Sequence, residues 1–457
     1  MAMGRRRKQR QGQIWIEEKT LAKGPSHPFY QRLNEVLERH GFDDFVEGLA
    51  AKFYAPRFGR PSLPPPVYFR LLLIGYFEGI DSERGIAWRV ADSLTLREFL
   101  GLALTDSPPD HSTISRNRRL LELAAHQEAF TWVLRVLAKE GVLRGKTLGI
   151  DATTLEANAA LRSIVRRDTG ASYDEFLTGL ARASGIETPT REDLAKLDRK
   201  RAKKGSNQDW TNPNDPDAKI TKMKDGRTHL AHKAEHAVDM ETGAVVAVTL
   251  QPADRGDTES LEETLDEAMG ELADVLEDDE DGAALGDEIL AEIVADKGYH
   301  SNAVLAARNQ LGIRTYISEP KRGRRNWQGK AAEKAAVYGN RRRIHGARGK
   351  QLLRRRGELV ERSFAHCYET GGMRRTHLRG HRNILKRLLV HVAGFNLGLV
   401  MREVFGIGKP RVLQGLRAVL LRLVRALCSA TRRLQVLRSV IHPTGPSLCR
   451  ICASAAA

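Results

Sequence analysis

Residues 147–153 read Thr-Leu-Gly-Ile-Asp-Ala-Thr, a short apolar run that carries the carboxylate of Asp151. A run of this type, bounded by basic and polar residues, predicts a β-strand. A second apolar run, residues 289–294, is followed closely by Asp296. Functional side chains are often placed by rigid elements at the points where strands end. These two aspartates are therefore the first candidates for a functional site.

Further strand and helix patterns surround these two runs. Strands are predicted at residues 229–240, 245–250 and 314–317, and helices at 258–276, at 303–311 and after Arg356. The order strand, hairpin, helix, strand, helix, strand and helix indicates an α/β fold in which helices flank a mixed sheet. The RNase H-like arrangement has this order, and we expect it for residues 146–405.

The chain before this region predicts an all-helical module. Residues 1–59 contain a basic arm and a first amphipathic helix, and residues 60–145 contain several short helical patterns. A helix that starts near Asp110 carries three basic residues, Arg116, Arg118 and Arg119. We expect a helix-turn-helix-like module in which these three side chains bind DNA. A solvated helix in a purely architectural bundle is the alternative.

Two further segments differ in composition from the rest. Residues 161–228 are polar and rich in charge, which predicts a helical and looped insertion in the α/β domain. Residues 406–457 form an amphipathic stretch rich in Arg and Leu, which predicts a basic helical C-terminal tail. A Cys-x-x-C pair in this tail, Cys449 and Cys452, lacks two further ligands at zinc-site spacing.

The composition points to a polyanionic partner. The 457 residues include 74 Lys and Arg against 57 Asp and Glu, a net charge of +17. Such a field attracts nucleic acid. No uncharged stretch is long enough to span a membrane, and the basic N-terminus is not followed by the apolar segment of a secretory signal. We therefore expect a cytoplasmic protein that has no membrane partner and associates with the nucleoid.

Three acidic residues suit a metal-dependent reaction on DNA. Hard divalent cations such as Mg²⁺ prefer carboxylate oxygens, and a two-metal site holds its ions roughly 3.5–4 Å apart. Asp151 and Asp296 supply two carboxylates, and Glu361 supplies a third from a helix rich in arginine. The arginines beside Glu361, among them Arg362, can contact DNA phosphate. For any single acid, a turn or surface ion pair remains the alternative.

Several motifs together resemble one known family. They are residues 149–154 (Gly-Ile-Asp-Ala-Thr-Thr), 295–299 (Ala-Asp-Lys-Gly-Tyr), 359–364 (Leu-Val-Glu-Arg-Ser-Phe), 108–115 (Pro-Pro-Asp-His-Ser-Thr-Ile-Ser) and 225–230 (Asp-Gly-Arg-Thr-His-Leu). Over roughly residues 60 to 405 the chain resembles the bacterial insertion-sequence transposases of the DDE superfamily.

This resemblance implies an activity and its catalytic residues. Asp151, Asp296 and Glu361 would be the catalytic and metal-binding acids, with two Mg²⁺ ions or Mn²⁺ as substitute. The enzyme would cut double-stranded DNA at the terminal repeats of its element. The freed 3′-hydroxyl would then attack target DNA without a covalent enzyme intermediate. Joining two ends suggests a homodimer in the DNA complex.

The third acid has an alternative. The superfamily often has Arg four residues before the catalytic Glu and Lys seven after it, where this chain has Gly357 and Tyr368. Glu358 does have Arg354 four residues before it, but it lacks the Arg and Phe that follow Glu361. We expect Glu361 to be the ligand and keep Glu358 as the second candidate.

Other side chains are candidates for DNA contact. Lys297 and Tyr299 follow the second acid and could meet a phosphate by charge and a base by stacking. A turn lysine and a packed aromatic are the equally weighted alternative. Arg324 and Arg325 lie in a basic cluster beside Trp327 that could bind a DNA strand, or could form a solvated loop.

Two other functions remain open from the sequence. An inactive relative would bind terminal repeats without cutting. A recombinase with a tyrosine nucleophile would use Tyr299 or Tyr368 to form a bond to DNA, assisted by residues such as His381 and Arg382. Metal dependence separates these mechanisms, because a tyrosine mechanism survives chelation and an acid-triad mechanism does not.

Overall fold

The architecture was established from a computed structural model. It describes residues 3, 27–55, 59, 62–103, 105–201, 205–223, 226–277, 285, 288–321, 323 and 325–410. The basic arm at residues 5–10, most of the acidic run after Glu277 and the tail after Pro410, with Cys449 and Cys452, lie outside these residues.

The N-terminal part is entirely helical in the described residues. Its helices are α1 (Pro28–Arg39), α2 (Phe42–Ala50), α3 (Pro65–Glu78), α4 (Glu83–Ala91), α5 (Leu94–Phe99), α6 (His111–Leu120) and α7 (Leu123–Lys139). Four of them start at side chains that accept a hydrogen bond from an amide of the first turn: His27, Ser82, Ser93 and Asp110. The apolar residues Phe29, Leu33, Val36 and Leu37 of α1 are all buried, as their spacing predicts.

The second part is built on a mixed six-stranded sheet. Its strands are β1 (Thr147–Glu156), β4 (Lys219–Lys222), β5 (Thr228–Asp239), β6 (Val245–Pro252), β7 (Glu292–Ala295) and β8 (Arg314–Ile317). The order is β6-β5-β1-β7-β8, with β4 paired to the first residues of β5. β1 runs antiparallel to β5 and parallel to β7, and β8 runs parallel to β7. This order and these directions confirm the RNase H-like mixed sheet.

Helices flank this sheet. They are α10 (Asp257–Glu277), α11 (Asn302–Gln310), α12 (Ala331–His345), α13 (Ala347–Phe364) and α14 (His381–Glu403), with a short π-helical segment, Ala365–Thr370, after α13. The sequence patterns did not predict α12. They also placed the start of α13 too late, because its basic first half has few apolar residues to mark it.

The polar segment between β1 and β5 has its own small core. It contains α8 (Tyr173–Ala183), α9 (Arg191–Lys200) and a two-stranded sheet of β2 (Val165–Arg166) and β3 (Trp210–Thr211). Trp210 is buried against Ile164 and packs edge-on against Tyr173 and Phe176. The prediction of helices and loops omitted β4, which extends the main sheet.

Helix α14 joins the two parts. It packs against α3 and α7 on the helical side and against β6 on the sheet side. By length and composition it could cross a membrane, but 89% of its most apolar window is buried inside the protein. An apolar helix enclosed by protein on all sides has the character of a core helix.

Candidate active site

Two carboxylates meet where the parallel pairing of β1 with β7 ends. The prediction that the first strand ends at Asp151 was wrong, because β1 continues to Glu156 through its antiparallel pairing with β5. Ile150 of β1 pairs with Ala295 of β7, and the next residues along the two strands are Asp151 and Asp296. Residues in the same row of a parallel pair project from the same face of a sheet. Burial raises the pKa of Asp151 above its ordinary value, and the charge of Asp296 adds to this rise. The two strands therefore bring the first two predicted acids together.

The carboxylate of Asp151 is held in place by two donors. Its Oδ1 accepts a hydrogen bond of 2.9 Å from the amide of Ala152, and its Oδ2 accepts one of 2.5 Å from Nη1 of Arg356 on α13. Arg356 opposes the rise in the pKa of Asp151, although burial prevails. A guanidinium thus lies beside the first acid, where the protein itself neutralises part of its charge.

Gly149 allows α13 to approach this strand. A Cβ at Gly149 would lie 2.4 Å from the sulfur of Met240 and 3.3 Å from Cγ of Arg356. A methyl group here would push Met240 away and crowd the stem of Arg356. The glycine two residues before Asp151 therefore has a packing reason in this fold.

Asp296 lies in a tight turn beside a further acid. Its Oδ1 accepts a hydrogen bond of 2.7 Å from the amide of Gly298, which starts a 3-10 turn at Lys297–Tyr299. A Cβ at Gly298 would lie 2.4 Å from Oδ2 of Asp257 and 3.0 Å from Oδ1 of Asp296. Asp257 is the first residue of α10, and its Oδ1 accepts a hydrogen bond of 2.6 Å from Lys233.

A buried polar cluster supports this turn from below. Glu235 of β5 is fully buried and accepts hydrogen bonds from the hydroxyls of Tyr299 at 2.6 Å and Ser260 at 2.9 Å, and from Thr264. Burial raises the pKa of Glu235, against the opposing effect of these bonds and of Lys233. The cluster ties the turn after Asp296 to α10 and β5.

Glu361 is not brought to the two aspartates. Its side chain is exposed on α13 and has no hydrogen-bonding or ionic partner in the described part of the chain. Within those residues, no group of three or more His, Cys, Asp or Glu side chains is close enough to hold a metal ion. Three converging carboxylates repel one another until a cation neutralises them.

Glu358 is in a different place. Its carboxylate pairs with Arg362 at 2.6 Å, and it lines a groove beside Glu241 and Thr242 in the turn between β5 and β6. That turn follows Asp239, which pairs with Leu148 near the start of β1. Glu358 therefore faces the end of the sheet opposite to Asp296.

The donors present fit a hard divalent cation. Asp151 and Asp296 offer carboxylate oxygens on adjacent strands, and a third carboxylate, Asp257, is aimed at the turn that follows Asp296. Oxygen donors of this kind suit Mg²⁺ or Mn²⁺ and do not suit soft metals. Asp151 and Asp296 carry like charges at half-buried positions, and a bound cation would remove the repulsion between them.

Helix α13 is anchored to β5 through a buried histidine. His236, which pairs with Asp151 in the sheet, lies 2.9 Å from Oγ of Ser363 and 2.6 Å from the hydroxyl of Tyr368. Burial lowers the pKa of His236 to about 3, so the ring is neutral. Tyr368, where the superfamily often has Lys, thus has a structural partner.

The predicted DNA-binding arginines of α6 divide into two groups. Arg116 and Arg119 are exposed. Arg118 is 8% exposed, and its guanidinium donates to Glu83 at 2.9 Å and to Asn383 of α14 at 3.0 Å. Arg118 therefore acts as a tie between α6, α4 and α14 rather than as a free phosphate contact.

The two candidate DNA contacts after the second acid differ in their exposure to solvent. Lys297 is exposed, whereas Tyr299 is 0% exposed and donates its hydroxyl proton to Glu235. A ring enclosed in this way offers no face to a base, which favours the packed-aromatic alternative. No comparable obstacle applies to Lys297.

The remaining predicted contacts lie on α13 and in the loop before α12. Arg362 is exposed and pairs with Glu358, and Arg325 pairs with Glu319 at 2.7 Å and stacks over Trp327. Arg324 lies outside the described residues. Because Arg325 is held in this ion pair and its side chain is 14% exposed, its guanidinium is poorly placed to bind DNA.

The contacts of four residues near the acids were not predicted from the sequence: Arg356, Asp257, Lys233 and Arg374. Arg356 belongs to the arginines that were expected to contact DNA phosphate, and for this residue that prediction was wrong, because its guanidinium pairs with Asp151 inside the protein. Nη1 of Arg374 donates to Oγ1 of Thr153 at 3.0 Å, two residues beyond Asp151 on the same face of β1. Asp257 could have been selected as a candidate from the sequence, since it begins a helix shortly after a strand of the sheet. The contacts of Arg356 and Arg374 could not have been predicted, because their partners are distant in the chain.

Comparisons with known proteins agree with this architecture. The family model described as "Transposase domain (DUF772)" matches residues 18–120, and the model "Transposase DDE domain" matches residues 197–397. The second range includes Asp296 and Glu361, and Asp151 lies between the two ranges. No curated protein and no solved structure matches the chain.

Proposed function

Because the chain belongs to the insertion-sequence transposases of the DDE superfamily, and so acts on DNA with divalent metal, we propose a specific reaction for it. The enzyme cuts DNA hydrolytically at the two ends of its element. The 3′-hydroxyl freed at each end then attacks a phosphodiester of target DNA. Cutting consumes one water for each bond broken, and joining exchanges one phosphodiester for another.

The metal-binding side chains in this proposal are Asp151, Asp296 and Glu361, with two Mg²⁺ ions or Mn²⁺ as substitute. When bound, the cations supply positive charge that promotes attack by water and stabilises the leaving oxygen. Arg356 holds Asp151 and partly neutralises it before the cation binds. The tie from β5 to α13 through His236 sets the position of the helix that carries Glu361.

The observation that supports this proposal most directly is the adjacency of Asp151, within β1, and Asp296, directly after β7, at the point where the parallel pairing of these strands ends. For the third acid, Glu361 is favoured over Glu358, because Glu358 faces the turn between β5 and β6 at the far end of the sheet. Glu361 reaches the two aspartates only through a change in its side chain or in α13, which binding of metal and DNA would favour.

DNA contacts are assigned to exposed basic residues. Arg116 and Arg119 on α6, Lys297 after the second acid and Arg362 on α13 meet this condition. We expect double-stranded terminal repeats and target DNA as partners, a homodimer when two ends are joined, and a cytoplasmic location with the nucleoid. A net charge of +17 supports DNA as the partner.

A tyrosine nucleophile is disfavoured by burial. Tyr299 and Tyr368 are both 0% exposed, and burial raises the pKa of each hydroxyl well above its usual value. A phenol that is hard to ionise and out of reach of solvent is a poor nucleophile.

The test uses a plasmid that carries this gene with its native flanking DNA, incubated with Mg²⁺ or Mn²⁺. Asp151→Ala, Asp296→Ala and Glu361→Ala should bind the plasmid as the parent does but leave it uncut. Asp274→Ala, which removes an exposed acid from α10, and Glu358→Ala should both cut. Cutting in EDTA, or by the Asp151 or Asp296 variants, would refute the mechanism. If Glu361→Ala cuts DNA and Glu358→Ala does not, Glu358 replaces Glu361 as the third acid.

A further inference from the structure

One carboxylate beside Asp296 is outside the Asp-Asp-Glu set. Asp257 begins α10, and its Oδ2 and the Oδ1 of Asp296 both lie within 3.0 Å of the point that a Cβ at Gly298 would occupy. Only glycine leaves this space between the two acids. The gap is therefore lined by one oxygen from each carboxylate.

Lys233 fixes the orientation of Asp257. Its side chain is 6% exposed, and its ammonium donates to Oδ1 of Asp257 at 2.6 Å, to Oγ of Ser260 at 2.9 Å and to the carbonyl of Arg255 at 3.3 Å. These three acceptors use all three ammonium protons. Oδ1 is thus committed to Lys233, and Oδ2 is left facing Asp296.

A purely structural ion pair does not account for this arrangement. Lys233 could join β5 to α10 through any acid at the start of the helix, without a second carboxylate facing the free oxygen. Two acids that face one another across a glycine repel, and a divalent cation between them removes that cost. The ammonium of Lys233 already neutralises part of the charge of Asp257, at the carboxylate oxygen that does not face Asp296.

We propose that Asp257 is a fourth acidic ligand, whose Oδ2 helps to hold the divalent cation bound by Asp296, with Lys233 as its positioning residue. This inference rests on the proposed function, since it assumes a cation at Asp296. It adds to that function a ligand from α10, so the metal joins this helix to the two central strands.

The experiment measures binding of Mn²⁺ alone, by electron paramagnetic resonance, to the full-length protein without DNA. Asp257→Asn should weaken Mn²⁺ binding by about tenfold or more, a typical loss when a ligand or its support is removed. Glu259→Gln removes an exposed acid from the same turn of α10 and should bind Mn²⁺ as the parent does. Circular dichroism in EDTA checks that each variant is folded.

Asp257→Glu provides a second variant that keeps the charge and can keep the pair with Lys233. A structural ion pair would tolerate it, whereas a ligand moved by one methylene should bind Mn²⁺ more weakly. If both Asp257 variants bind Mn²⁺ normally while Asp296→Asn does not, this proposal fails and the proposed function stands. If Asp296→Asn also binds normally, both fail.

Discussion

At the scale of single residues, Arg356 controls the charge of the first acid. Its guanidinium opposes the rise that burial causes in the pKa of Asp151. Asp151 must be ionised to bind a cation, so cleavage should fall as pH drops through this pKa. Arg356→Gln removes the opposing charge, and the acidic limb of the pH profile of plasmid cleavage should move to higher pH.

Arg342→Gln on α12 is the matched control, because it removes the same charge from an exposed position. Its pH profile should overlay that of the parent. An unchanged acidic limb in Arg356→Gln would mean that the contact with Asp151 does not affect its ionisation in solution.

A second residue makes stability depend on pH. Glu271 of α10 is 6% exposed, and burial raises its pKa from 4.5 to about 8. The folded state therefore holds a proton that the unfolded state releases, so this contribution is fully present below pH 4.5 and is lost as pH rises to about 8. Glu271→Gln should have a higher Tm than the parent above that range and lose this advantage towards pH 4.5.

The hydrogen bonds of Glu271 agree with a protonated carboxyl. The hydroxyl of Thr131 lies 3.0 Å from the carbonyl of Gln127 and 2.7 Å from Oε2 of Glu271. A hydroxyl has a single proton, so both bonds form only if Glu271 donates one. Glu277→Gln, which removes an exposed acid at the end of α10, is the control in thermal unfolding. A parent whose Tm is level across this range would contradict the assignment.

At the scale of elements, the attachment of α13 to β5 should govern catalysis. His236→Ala leaves the buried Tyr368 hydroxyl without this partner, at a cost of roughly 1–3 kcal/mol, whereas Ser363 keeps its hydrogen bond to the carbonyl of Val360. A small shift of α13 would misplace Glu361. We expect cleavage at saturating metal to fall by about tenfold or more while DNA binding is retained.

Tyr368→Phe provides the graded comparison, since it removes only one of these hydrogen bonds. It should lower the free energy of unfolding in urea by about 1 kcal/mol and reduce cleavage less than His236→Ala. Equal cleavage in all three proteins would show that α13 does not depend on this contact for its catalytic position.

Elements with strong periodicity could be predicted from the sequence, and elements set by distant contacts could not. α10 was predicted within one residue at each end, because apolar residues recur along it at the helix period. β8 was also predicted at its bounds, from a short run of residues that favour strands. α14 is apolar on all sides and β4 is short and polar, so neither has a periodic signal. Their places depend on packing and pairing with residues far away in the chain.

The same division applies to the site. Asp151 and Asp296 could be selected because each follows a short apolar run in the sequence, and the strand order confirms that β1 and β7 are neighbours, although β1 continues beyond Asp151. The contact between Arg356 and Asp151 joins residues 205 positions apart, and no local pattern predicts it. Arg118 likewise contacts Asn383 of α14, which is far away in the chain. No local pattern in α6 distinguishes this buried arginine from an exposed one.

At the scale of the whole molecule, exposed charge should set the salt dependence of DNA binding. The slope of log K against log salt becomes shallower by about 0.9 for each DNA phosphate that the protein no longer neutralises. Replacing both Arg116 and Arg119 with glutamine should lower the slope by nearly twice that amount if both bind phosphate. Binding measured across a salt series is the test, and Lys334→Gln with Arg342→Gln on α12 is the control of equal charge.

A slope that does not change in the α6 double variant would place this helix outside the DNA interface and would favour the architectural alternative. Arg118→Ala should behave differently from both double variants. It breaks a buried tie to Glu83, so we expect lower thermal stability and little change in slope.

The position of α14 determines when the protein can fold during its synthesis. Its packing partners α3 and α7 leave the ribosome early, but the helix that covers them is completed only at Glu403. Until then the growing polypeptide exposes the apolar surfaces of both helices. A product terminated before residue 381 should therefore be degraded rather than persist as a DNA-binding competitor, so translation would deliver either a complete enzyme or no stable protein.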